Sequence, residues 1–468
     1  MKTWITLIML TIVPIAFSQP PETLWTRTYG CDGSSQAFSC QQTTDGGFVF
    51  AGYHLLPYED ENIFLVRIDQ SGDTLWTRTY GGDFHDKCRA VELTSDGGFI
   101  LAGTWGYTAV PEPDCGFCCL IKTDSLGNAQ WTRTYGMASL NEANDVKQTQ
   151  DGGYILVGYT FDGGQVFNYD WFIIKTDSTG DTLWTRTFGN SWDDVADAVQ
   201  QTSDGGYIVA GCGGAIGSGL PFFYVVKLTE FGSTQWERFY GGNRACSILQ
   251  MSDGGYAVTG DGPGGTHFLR IDSAGDTLWT RIYSGSVYSA RLVPDGGFVI
   301  AGSQSNDYHV LRTDSLGDIL WTASYGGFDN DWCSSVQVTN EGGYIIAGSS
   351  FSFCSSIAFY VVRLGPDISS VVSGSGINAT PQTIILFPPY PNPFNALATI
   401  SYQLPIAGKV KLTIHNILGE SVATLLDGTV GNGTHSVVWD AGGLPTGIYL
   451  CRMETAGFIQ VRKLLMLK

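Results

Sequence analysis

The sequence predicts an all-β chain: a ring of repeated four-stranded modules, then a small β-sandwich. Three observations carry this. Glycine is abundant (61 of 468 residues) and aromatics reach 13%, while charged residues stay at 15%, a mix that suits short strands and tight turns rather than helices or disorder. A tryptophan-centred stretch, written DTLWTRTYGG from Asp73 to Gly82, returns in near copies along most of the chain. The C-terminal part abandons that stretch and alternates apolar and polar residues, as in KVKLTIHN, THSVVWD and GIYLCRM. The net charge of −19 argues against nucleic acid or anionic lipid as partner, since both reward Lys and Arg.

The chain opens MKTWITLIMLTIVPIAFSQPP. Lys2 supplies a positive n-region, Trp4 to Phe17 an apolar core, and Ala16 and Ser18 the small residues of a cleavage site, so residues 1–18 read as a secretory signal peptide. No cysteine follows the core where a lipid anchor would need one, and no later stretch is long enough to span a bilayer. The mature chain is expected to be exported, without a transmembrane segment, in a compartment that permits disulfides.

The repeat has three motifs. Its tryptophans are Trp25, Trp76, Trp131, Trp184, Trp236, Trp279 and Trp321, spaced 42 to 55 residues apart. A turn written DGG[FY] begins at Asp45, Asp96, Asp151, Asp204, Asp253 and Asp295, with Glu341 in the seventh place. An apolar run ending in charge, such as IFLVRID or WFIIKTD, lies between them. DAVQQT, the DGG hairpin, YIVAG, the apolar run and the Trp strand make four strands per unit, the pattern of one propeller blade. The first Trp strand has nothing before it, and the last unit has three strands with no Trp strand after it. Residues 19–364 are therefore expected to form a seven-bladed β-propeller closed 3+1 by the N-terminal strand.

Few residues read as chemical. D-x-x-G-[DN], as at Asp69/Gly72/Asp73, resembles the Asp-box turn of sialidase-type propellers with longer gaps. The simpler reading is a hairpin turn whose Asp accepts backbone N–H groups; the acidic ligand alternation of a calcium loop is missing. Arg27, Arg78, Arg133, Arg186, Arg238 and Arg281 hold one repeat position, so stacking on neighbouring Trp and Tyr is expected rather than convergence on an anion. The six histidines fall at unrelated positions, and no metalloprotease, nucleophile-elbow or P-loop pattern appears, so no catalytic residue, metal or cofactor is predicted.

The cysteines suggest bridges. The start of a first strand and the second-to-third loop share one face of a blade. Cys88 and Cys333 lie eight residues before their turn motifs, in blades whose long loops carry Cys115, Cys118 and Cys354. The expected pairs are Cys88–Cys115 (or Cys118) and Cys333–Cys354, with Cys212–Cys246 a further candidate. CGFCC lacks a second C-x-x-C for zinc. Cys40, Cys119 and Cys451 read as core fillers. The same face carries the longest loops, in which Tyr58, Trp105, Tyr107, Phe161 and Tyr169 stand among carboxylates and are candidates for stacking on a sugar or filling a protein contact.

PDISSVVSGSGINATPQT gives a Ser/Gly-rich linker over 365–383, and 384–468 a second domain. That domain resembles the C-terminal sorting domain of type IX secretion cargo and the related Ig-like domain of flagellar hook-capping proteins. The resemblance rests on Tyr390, Pro391, Asn392, Pro393 and Phe394, Gly408 with VKLTIHNILG, Trp439-Asp440, Gly447 and Tyr449, and the terminal RKLLMLK with Lys463 and Lys468. It implies an Ig-like β-sandwich, the type IX-like secretion machinery as partner, and a secreted, extracellular or outer-membrane surface location. The repeats resemble other Trp- and DGG-repeat propellers of secreted bacterial proteins. The expected function is a non-enzymatic scaffold binding extracellular polysaccharide or a surface protein through the loop-rich face. The alternative is a glycan hydrolase or lyase using carboxylates there, Asp60, Asp114 and Asp170 first.

Overall fold

A computed structural model describes residues 19–57, 59–82, 84–108, 115–136, 141–161, 168–189, 193–214, 221–367, 385–386, 394, 397–404, 407–417, 419–431, 433–455 and 458–466. The signal segment 1–18 lies outside them. The chain divides into two compact units, residues 1–368 and 369–468. No helix among the described residues is long and apolar enough to cross a membrane.

In the first unit the described residues form seven four-stranded antiparallel sheets. Sheets one to six cover residues 34–80, 85–135, 141–188, 195–240, 244–283 and 286–325, each in simple chain order. The seventh joins three strands of residues 331–364 to the N-terminal strand Thr23–Tyr29, which pairs Trp25 with Arg363 and Thr28 with Tyr360. Beside that pairing the Gly365 N–H donates to the Glu22 carbonyl (2.8 Å). Each sheet is apolar on both faces through its second and third strands, so neither face can stay in water. Seven buried clusters result, each shared by two consecutive sheets. Val49 and Leu65 of sheet one meet Phe99 and Ile121 of sheet two, for example, and Phe359 and Val361 of sheet seven meet Phe48 and Phe50 of sheet one. This face-to-face stacking of four-stranded sheets is the β-propeller arrangement.

The repeated residues are the ones that join sheet to sheet. In the outer strands Trp25 Nε1 donates to the Gln70 carbonyl (3.2 Å) and the Tyr29 hydroxyl to the Gly72 carbonyl (2.7 Å), both in the next sheet's turn. Tyr80, Tyr135, Tyr240 and Tyr283 repeat the Tyr29 bond with Gly127, Gly180, Gly275 and Gly317. The turn itself is held as expected, Asp69 Oδ1 accepting from the Ser71 and Asp73 N–H groups (2.8 and 2.9 Å). Glycine is required there twice over. Gly127 has φ +75°, and a Cβ would sit 2.7 Å from the Trp76 ring of the preceding sheet. Arg27, Arg78, Arg133, Arg186 and Arg281 lie over their own tryptophans, Arg78 5.2 Å from the Trp76 centroid and Arg281 5.3 Å from that of Trp279.

The charge that ends each apolar run is also structural. Arg67 donates to both oxygens of Asp45 (2.6 Å), and Lys122, only 5% exposed, meets Asp96 at 2.8 Å. The remaining sheets repeat the pair as Lys175–Asp151, Lys227–Asp204, Arg270–Asp253, Arg312–Asp295 and Arg363–Glu341. The DGG carboxylate therefore neutralises a cation buried under its own turn, a link that motif spacing alone did not disclose.

Where the seventh sheet lacks a third-to-fourth turn, Asp367 replaces it. Its carboxylate accepts from Trp321 Nε1 (2.9 Å), Arg312 Nε (2.9 Å) and the Tyr344 hydroxyl (2.5 Å), and Trp321 is correspondingly 2% exposed.

The expected bridges are corrected. Cys354 is bonded to Cys31, not to Cys333. Cys88, Cys118, Cys212, Cys246 and Cys333 are free thiols. Cys88 and Cys333 belong to a column of small buried residues (Ala37, Ala143, Ala196, Ala245 and Val287 elsewhere) that face the neighbouring sheet, so their sulfurs point into cores and away from the loops. Burial pushes the Cys88 thiol up to about 12. Cys31 follows the N-terminal strand and Cys354 precedes the strand Ala358–Leu364 that pairs with it, which brings the two together. Cys246 reaches the Arg244 carbonyl (3.7 Å), while Cys212 sits in register with Val195 in sheet four. Cys40, Cys119 and Cys451 are buried, as expected of core fillers. The side chain of Cys115 lies outside the described part.

In the second unit a three-stranded sheet (Ile385–Leu386, Leu397–Leu404, Gly433–Asp440) and a four-stranded one (Ser421–Val430, Gly408–Asn416, Gly447–Thr455, Phe458–Met466) share one core. Phe394, Trp439 and Tyr449 pack within it, Trp439 lying 5.2 Å from Phe394 and 5.3 Å from Tyr449. The resemblance motif thus contributes packing residues through Phe394 and Tyr449; Gly447 begins a strand, and exposed Lys463 lies in the last one. Tyr390 to Pro393 and Lys468 lie outside the described residues.

Candidate functional site

The first strand of every sheet carries a β-bulge at one place. In sheet one Ala37 faces Gly52 and Ser39 faces Ala51, leaving Phe38 unpaired. The strand-two glycine of the AG and VG motifs makes this possible: a Cβ on Gly52 would fall inside the Gln36 carbonyl oxygen, which the bulge pushes across. The unpaired residues of the seven sheets are Phe38, Arg89, Asn144, Asp197, Cys246, Tyr288 and Ser334, each seven residues ahead of its turn carboxylate. The residue before each is Ala, Cys or Val and the one after Ser, Ala or Asp, whereas the bulge residue itself ranges from Phe, Tyr and Arg to Asp, Cys and Ser.

The strands that carry these residues adjoin one another. The first strands bond to one another across all seven sheet junctions, for instance Val91 N–H to Ser39 Oγ (3.2 Å), Val199 N–H to Asp145 Oδ2 (3.0 Å), Val336 N–H to Ser289 Oγ (3.3 Å) and Cys40 N–H to Ser335 Oγ (3.3 Å). Side chains from sheets that are not neighbours feel each other as well. The Arg89 charge acts on Asp197 two sheets away, and Glu92 and Asp145 act on Arg291 of sheet six, whose guanidinium burial pulls downward.

Ion pairs hold the charged members of the cluster. Arg89 pairs with Glu142, Lys87 with Glu61 of sheet one (2.9 Å), and Arg244 with Asp197 through bonds of 2.5 and 2.7 Å. The Tyr159 hydroxyl donates to Glu142 (2.9 Å), and the Arg89 guanidinium lies 4.4 Å over the Phe38 ring. Burial raises Asp197 even against the pull of Arg244, and burial followed by the Glu142 charge raises the Tyr159 phenol. At the bulge positions of sheets six, seven and one stand the uncharged Tyr288, Ser334 and Phe38. Tyr288 is 44% exposed, and its electrostatic neighbours are Asp261, Cys246, Cys333 and Arg244.

The loop aromatics divide. Phe161 and Tyr169 face each other across one hairpin (6.2 Å between rings), and Tyr159 joins them 4.8 Å from Tyr169, behind Glu142. Trp105 packs against the core between sheets one and two. Tyr107 pairs through its backbone with His85, its side chain lying outside the described part, as does Tyr58 altogether. Asp60 and Asp170 belong to different sheets, and Asp114 is outside the described residues.

One constellation was invisible in the sequence. Ser35 Oγ and His54 Nδ1 lie 2.5 Å apart, and His54 Nε2 lies 3.5 Å from Asp32. It has the membership of a hydrolytic triad, but Ser35 is fully buried and also bonded to the Gly30 carbonyl (3.1 Å). The position matches Asp86, Asn141, Asp194 and Asp331 of other sheets, which likewise fasten nearby backbone through bonds such as Asp86 to the Gly82 N–H (2.9 Å). The trio fastens the crossing from sheet seven to sheet one.

Residues 389–467 match the family model for the secretion system C-terminal sorting domain. The chain thus carries the type IX sorting tail, which supplies handling by that machinery and export. No curated protein matches the chain. Among solved structures, the Dos1 propeller is similar with 11% identity and TM-score 0.48, covering 76% of this chain and 97% of that one. U3-55K gives 13%, 0.49, 74% and 100%, and a catalytically inactive virginiamycin B lyase from Staphylococcus aureus 10%, 0.48, 73% and 99%. At such identities none of them speaks to function.

Proposed function

We propose that the mature chain is a secreted or surface-displayed, non-enzymatic scaffold. It is a seven-bladed propeller over residues 19–364, closed 3+1 by Thr23–Tyr29, with a linker at 365–383 and an Ig-like sorting domain at 384–468. It binds an extracellular polysaccharide or surface protein on the face that carries the long loops and the mouth of the bulge cluster. The observation that carries this reading is the contrast within the repeat. Residues that join sheets are nearly constant, whereas the seven bulge residues differ and sit at one level of adjoining strands. Variation on a rigid frame is how a propeller builds a binding site. The Glu22 carbonyl and the Gly365 N–H meet at the opposite, short-turn end of the sheets.

The test is expression in a bacterium with type IX secretion, full-length and truncated at residue 383. The full chain is expected in the medium or on the surface and the truncated one inside the envelope; equal export of both overturns the sorting assignment. Release of fragments from a polysaccharide by the purified chain would replace the scaffold reading with the glycan hydrolase or lyase alternative.

A further inference from the structure

Resting on the binding reading above, we infer that the bulge cluster takes a neutral saccharide, with Tyr288 as the stacking platform and the paired charges of sheets one to five as its hydroxyl partners. Three features select this class. First, Tyr288 is the exposed aromatic member of the bulge column, and among the described residues its ring and hydroxyl have no hydrogen-bond or ring partner. A flat, partly apolar ring left open beside polar groups suits the C–H face of a sugar.

Second, the charges at the cluster balance. Lys87, Arg89 and Arg244 each hold a carboxylate, from Glu61, Glu142 and Asp197 respectively. Among the described residues these three cations are already matched, and Arg291, which has no carboxylate of its own, spends its N–H groups on Gln337, Ser289 and the Ala290 carbonyl, so little is left to reward an acidic polymer, and displacing a partner would strand a partly buried charge. Each pair nevertheless sets guanidinium or ammonium donors beside carboxylate acceptors. A sugar's adjacent hydroxyls both donate and accept, so they can bridge such a pair without breaking it. Arg244 is 49% exposed and Arg89 33%, so their outer N–H groups remain within reach.

Third, the chain's net charge of −19 repels polyanions at a distance, which removes acidic polysaccharides before contact.

The experiment is saturation-transfer NMR and calorimetric titration of the full mature chain. Its probes are neutral gluco-, manno- and N-acetylglucosamine oligosaccharides, oligogalacturonate, and a set of unstructured peptides. At least one neutral oligosaccharide is expected to bind. Tyr288→Ala should weaken it about tenfold or more, and Tyr288→Phe should retain most of the affinity because it keeps the ring. Tyr288 is exposed, so both variants should melt like the parent. If only peptides or oligogalacturonate bind and Tyr288→Ala abolishes that binding, the saccharide class is wrong while the bulge cluster stands as a site. If a neutral sugar binds equally well to the parent and Tyr288→Ala, the site assignment falls. Absence of binding by every probe overturns the inference.

Discussion

Opening the Cys31–Cys354 bridge is the most direct perturbation of the first unit. The bond joins residues 323 positions apart, so nearly the whole repeat array lies inside the loop it closes. For an unfolded chain free of other restraint, a loop of that length implies about 6 kcal/mol of lost closure entropy; measured bridges more often return about 2–4 kcal/mol. The folded state loses little else. The strand pairing of Thr23–Tyr29 with Ala358–Leu364 survives, as do the bonds from the Ser35 N–H to the Ile357 carbonyl and from Ser356 to Gly33. Cys31→Ser is therefore expected to remain folded but to unfold at lower denaturant, by about 2 kcal/mol or more. Hydrogen exchange should quicken first at Thr26 to Tyr29. The assay is urea unfolding followed by tryptophan fluorescence, with and without reductant, for the parent, Cys31→Ser and Cys333→Ser. Reductant should lower the parent to the Cys31→Ser midpoint and leave Cys31→Ser where it was. If instead Cys333→Ser removes the response to reductant, or Cys31→Ser unfolds like the oxidised parent, the pairing and the reasoning from it are wrong.

Further outcomes follow from the sheet junctions. Gly127→Ala forces a side chain into a left-handed backbone and against the Trp76 ring, so it should cost more than the about 1–2 kcal/mol of the conformation alone, read from the urea midpoint. Asp367→Ala should expose the Trp321 indole and leave Arg312 with Asp295 as its remaining carboxylate, giving a red-shifted emission and a loss of about 3 kcal/mol. Asp96 is held down to about 2, with burial opposing and its bonds to Lys122, Thr94 and Gly98 prevailing. A depressed carboxyl stabilises the fold above its unfolded value, and that contribution fades as pH falls from about 4 toward 2. Asp96→Asn should therefore be less stable than the parent at pH 7 and approach it near pH 2; a gap independent of pH would contradict the assignment.

Repetition made much of the architecture legible. Four strands per unit, the glycine turns and the orphan Trp strand at Thr23–Tyr29 follow from period and pattern, because each module meets the same neighbours and so keeps the same residues. The sorting tail was equally readable, since its motif residues Phe394, Trp439 and Tyr449 are core residues of a small sandwich. Part of the site was legible too. The residue seven before each turn carboxylate changes from Phe to Arg to Asn to Asp while the one before it stays Ala, Cys or Val, a signal visible once the repeats are set in register.

Contacts between modules far apart in sequence were decided only by the tertiary structure. Cys88 and Cys333 share a repeat position with Ala37 and Val287, and only the packing of one sheet on the next turns that column into a core and rules out bridges. Cys31 reaches Cys354 because the two ends of the unit lie side by side, a proximity that local spacing cannot encode. The same holds for Arg89 acting on Asp197 and for the exposure of Tyr288. Local pattern fixes each strand's conformation within a few residues. Which side chains face one another across the centre depends on how seven sheets pack together, and that is a property of the whole assembly.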